Sequence, residues 1–82
     1  MGTKNDPGIF DCYADAEPDE PIFVLRAKDA SAPMLVRMWA FMRLLLIEAD
    51  AKPMSDLDAC TEANRCAMAM EQWREHQKTG AA

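Results

Sequence analysis

Cys12, Cys60, Cys66 and His76 are the residues of this 82-residue chain best suited to hold a soft metal ion. A zinc site needs closely spaced ligands brought to one point, commonly as a C-x-x-C pair. No such pair occurs, and Cys60 and Cys66 on one helix would stand about 120° apart around its axis. His76 lies in the polar stretch REHQK, where a solvated imidazole is the ordinary outcome. Neither a metal nor another cofactor is expected. Cysteine catalysis needs a base within hydrogen-bond reach and a group to orient it, and nothing points this lone imidazole at a thiol. Gly-rich phosphate loops and dinucleotide fingerprints are absent. The chain is not expected to be an enzyme.

Carboxylates are abundant, and their placement is uneven. Residues 11–20, DCYADAEPDE, hold Asp11, Asp15, Glu17, Asp19 and Glu20 with no Lys or Arg, a formal −5 that equals the net charge of the whole chain. Paired carboxylates perform acid–base chemistry only where a desolvated cleft separates their pKa values. In a segment punctuated by Pro18 and Pro21, solvated carboxylates are the default. The five are therefore candidate partner-binding residues for a basic protein surface, the alternative being a loop that only aids solubility. Phe10, Tyr13, Ile22 and Phe23 flank the charges and are expected to pin them to the folded core.

Three elements must carry this segment. Residues 1–8, MGTKNDPG, are polar and turn-rich, which suits a mobile terminus. Residues 22–27, IFVLRA, suit a short strand or extended segment pairing with residues 8–13, although Pro21 would also suit a helix start, and periodicity does not separate the two in so short a run. Beyond them Asp29 and Ser31 are candidate caps and Pro33 fits a first helical turn. Met34, Leu35, Met38, Phe41, Met42, Leu45, Leu46 and Ala49 then recur at three- and four-residue steps, predicting a helix over 32–50. Val36, Trp39, Leu44 and Ile47 occupy its opposite side. A helix so apolar is either central to the fold or half-buried in an oligomer. Trp39 is expected in the core, whereas Trp73 suits core and interface equally.

Pro53 should end that helix. Ser55 and Asp58 then resemble a capping box, with Asp56 favourable to the helix dipole. Leu57, Cys60, Ala63, Ala67, Met70 and Trp73 or Arg74 make a narrower stripe, ending near Lys78 with Gly80 as terminator. Ala59, Ala63, Ala67 and Ala69 would allow close approach to the first helix. The expected architecture is mainly α, with α+β open: an antiparallel helical hairpin preceded by an acidic, partly extended arm with at most one short strand pair. The length fits one domain over residues 1–82.

Composition narrows the function. A pI near 4.6 disfavours direct binding to nucleic-acid phosphates or anionic membranes. An odd number of cysteines without an apolar leader suits a reduced, cytoplasmic setting. The most apolar stretch, residues 38–47, is interrupted by Arg43 and falls short of the roughly 20 residues a membrane span needs.

The arrangement EPDEPIFVLRAKD…AP…VR.WA within residues 17–40, followed by EANRCAMAMEQWR at 62–74, resembles a group of small proteins encoded by phages and prophages. In size, charge and implied origin the chain also resembles type I anti-CRISPR proteins. The resemblance covers about two-thirds of the chain and brings no catalytic motif and no assigned residues. It implies a host-cytoplasmic, acidic inhibitor of a nucleic-acid-handling complex, possible as monomer or homodimer. It would compete with DNA or RNA for a basic surface, such as that of a type I CRISPR surveillance complex. The alternatives are a homo-oligomeric assembly protein or a small-ligand-binding module using a Met-lined pocket.

Overall fold

Residues 26–32 prepare the chain for its first helix. Asp29 Oδ1 accepts the Ser31 N–H at 2.9 Å and the Ser31 hydroxyl at 2.7 Å. The Asp29 and Ala32 N–H groups donate to the Arg26 and Asp29 carbonyls, so one turn runs into the next. Helix α1 spans Ala32–Glu48, with Pro33 in its first turn where no N–H is needed. Ser31 is the N-cap residue but makes no side-chain capping bond; its hydroxyl is turned to Asp29. In the computed structural model, residues 1–8 and 15–80 are described, the last two by backbone alone.

α1 stops before Pro53 for a local reason. Asp50 adopts φ 58°, its N–H bonds the Ile47 carbonyl, and the Ala51 N–H bonds that of Leu46. This pair of bonds is a Schellman closure, with a left-handed residue where glycine is usual. A single 3₁₀ turn at Met54–Asp56 follows, beginning one residue before Ser55, and leads into helix α2, Leu57–Gly80. Asp58 lies in the first turn of α2 and Lys78 in the last, both favourable to the dipole.

The two helices pack as an antiparallel hairpin. Arg43 meets Asp56 and Arg37 meets Glu71, so numbering falls along one helix as it rises along the other. No strand occurs among the described residues. Residues 22–26 run without regular structure, and the pairing segment proposed at 8–13 lies outside the described residues except for Gly8. Near the amino end Thr3 and Asp6 exchange backbone bonds, and Met1 packs against the hairpin core.

That core is narrow. Ala32, Ala40, Ile47, Cys60, Ala63 and Ala67 are buried, and no large side chain is fully buried. On α1 the inward residues Pro33, Val36, Ala40, Arg43 and Ile47 step by three and four, as do Asp56 at the end of the 3₁₀ turn and Cys60, Ala63, Ala67, Met70 and Arg74 on α2. Matching heptad seams of this kind let two helices meet along their length. The stripe of Met34, Leu35, Met38, Phe41, Met42, Leu45 and Leu46 is exposed, and the seam runs down the other side of α1. Trp39 is not a core residue: it is 38% exposed, with the Arg43 guanidinium 4.8 Å over its ring.

Candidate interaction surfaces

The acidic segment enters α1 through residues 21–31, and its geometry is local. Pro18 pre-sets a turn in which the Glu20 N–H donates to the Glu17 carbonyl at 3.1 Å. In return the Glu20 carboxylate accepts the Glu17 N–H at 3.0 Å. Glu20 is thereby engaged with the backbone of Glu17. Asp15, Glu17 and Asp19 are exposed and their carboxylates meet no cation among the described residues. Asp11 lies outside the described residues, as do Phe10 and Tyr13.

The four arginines of the two helices are already engaged. Arg37 grips Glu71 with two bonds of 2.9 and 2.6 Å, holding the Glu71 carboxyl below its usual range. Arg43 joins Asp56 at 3.1 Å and Arg65 joins Glu62 at 3.2 Å. Arg74 donates to the Lys28 carbonyl at 2.7 Å and so ties the incoming chain to α2. On this side of the acidic segment the tether stands where an apolar anchor was expected, because Ile22 is exposed and Phe23 is 85% exposed. Hydrogen bonds from the Ser31 hydroxyl and N–H hold the Asp29 carboxyl low.

A second surface is apolar and lies on α1 opposite the seam. On a 3.6-residue period Met38 and Met42 point away from Ala40 and Ile47. Around them Met34, Leu35, Phe41, Leu45 and Leu46 leave 41–68% of their surface open, with no charged residue among them. One edge of this face borders an open groove of about 610 Å³, where Met34, Met38, Phe41 and Met42 oppose Arg37, Glu71, Arg74, Glu75 and Lys78.

The residues considered for metal or thiol chemistry are dispersed. Cys60 is buried in the seam as a small hydrophobe and Cys66 is half-buried. His76 is exposed near the end of α2, and Cys12 lies outside the described residues. No group of three or more metal-binding side chains occurs among the described residues. No helix among them is long and apolar enough to cross a membrane. Trp73 is also partly open to solvent. No family model, curated protein or solved structure matches the chain.

The stripe of large side chains predicts the helix but does not say which of its two apolar sides meets α2, and the largest side chains lie away from the seam. The cue that identifies the seam is the match between helices: small Ala40 faces small Cys60 and Ala63, and Arg43 faces Asp56.

Proposed function

We propose that this protein acts by binding: it is a phage-derived, non-catalytic acidic protein that inhibits a nucleic-acid-handling complex in the host cytoplasm. Residues 11–20 occupy a basic protein surface there and compete with DNA or RNA, in the manner of a type I anti-CRISPR protein. The observation that supports this reading is the set of carboxylates at Asp15, Glu17 and Asp19, exposed and unneutralised while the four arginines of the two helices are engaged within the hairpin. Charge left open in this way steers a basic partner from a distance and discriminates against acidic ones.

The test uses a purified type I surveillance complex and its target DNA. The wild-type chain should reduce DNA binding at low salt and progressively less at high salt, as screening shortens the reach of the charges. The variant D15N/E17Q/D19N/E20Q, altered only at exposed positions, should keep its helix content and lose at least about tenfold in inhibitory potency. Full inhibition by this variant at low salt would rule out the charge-competition mechanism.

A further inference from the structure

α1 carries two heptad seams, and the hairpin uses only one. Opposite the seam that meets α2, the positions Leu35, Met38, Met42, Leu45 and Ala49 also step by three and four. Met34, Phe41 and Leu46 widen this second seam to a face with no charge along the helix. We propose that it is covered by α1 of a second copy of this chain, packed antiparallel about a two-fold axis near Met42. The assembly is then a layer in the order α2–α1–α1–α2, with the two apolar helices inside and the polar surfaces of α2 outside.

Area, periodicity and self-complementarity all point to this occupant. At their observed exposures the seven large residues leave on the order of 700 Å² open. That exceeds the roughly 300–600 Å² of the largest apolar patch on a typical monomer. It approaches the about 800 Å² that each partner contributes to a stable interface. A three-four repeat is the pattern by which one helix seats another. An antiparallel two-fold brings each flank of α1 against the same flank of its copy. One flank holds Arg37 and Glu48, the other Trp39 and Leu46. With the axis near Met42, Arg37 falls beside the partner's Glu48 and Trp39 beside the partner's Leu46. Glu48 meets no cation within its own chain among the described residues. A single surface thus supplies both halves of each contact, as an isologous interface requires.

This inference stands on residues 34–49 and not on the acidic segment, so either proposal can fail without the other. The experiment is sedimentation equilibrium at micromolar concentrations of the wild-type chain, of M38E/M42E and of M68E, whose substitution lies on an exposed position of α2. The expected result is a dimer for the wild type and M68E. M38E/M42E, which sets four carboxylates into the apolar contact, should weaken dimerisation by at least about 100-fold. A monomeric wild type, an open-ended series of larger species, or a dimer that survives M38E/M42E would overturn the proposal. Should M38E/M42E fail to fold, thermal unfolding of the wild type over a hundredfold concentration range decides. Its midpoint rises with concentration if the folded state is a dimer and stays fixed if it is a monomer.

Discussion

Asp50 shows how a single backbone position sets the shape of the hairpin. Its φ of 58° lies in the left-handed region, which costs a residue with a Cβ more than it costs glycine. Aspartate tolerates this conformation better than most residues but gains nothing from it here beyond the closure of α1. Asp50→Gly should therefore stabilise the fold by about 0.5–1 kcal/mol, seen as a rise of a few degrees in the thermal midpoint. Arg74 makes the opposite kind of contribution. Its guanidinium binds the Lys28 carbonyl, so Arg74→Ala should release residues 21–28 while leaving the hairpin intact. Faster amide exchange in residues 26–30, with helix content unchanged, is the expected signature.

At the level of the helices, small residues decide which faces meet. Ala63 and Ala67 are wholly buried, and any larger side chain there must push α1 away. Ala63→Leu should destabilise by about 1–3 kcal/mol, read as a lower urea midpoint at unchanged slope. The helices are also joined by Arg37 and Glu71. Because Arg37 depresses the Glu71 carboxyl, this contact stabilises fully above the ordinary glutamate range and is lost as pH falls through the depressed value. An acid titration of helix content should be shallower in R37Q, which removes the cause of the depression. Much of this level was legible in the amino-acid sequence. The two helices and the stripe of Cys60, Ala63 and Ala67 follow from local chemistry and period, whereas the capping bonds expected of Ser31 and Ser55 are not made. The working face of α1 did not, because two apolar stripes share that helix and hydrophobicity ranks the wrong one first. Ala40 is a poor hydrophobe alone and becomes decisive only opposite Cys60 and Ala63. At residues 22–27 the extended alternative holds and not the strand: Ile22 and Val24 favour a strand, but none of the described residues offers it a partner edge.

For the whole molecule, two surfaces of opposite character respond to salt in opposite ways. Copies of a chain with formal charge −5 repel one another, so added salt should strengthen pairing through the uncharged face of α1. The same salt should weaken any contact between residues 11–20 and a basic partner. Pairing through α1 doubles the number of acidic segments carried by one particle, which raises avidity wherever both can engage. A hairpin whose seam buries, among the described residues, only alanines, a proline, a cysteine and one isoleucine has little core of its own. The large side chains that would make a core are on the outer face of α1, where a second copy of the chain would cover them. The most direct measurement is the mass of the unmodified chain at sedimentation equilibrium across the micromolar range. A value near twice 9.2 kDa that persists or strengthens in salt is the predicted result. A mass of 9.2 kDa at every concentration would contradict it.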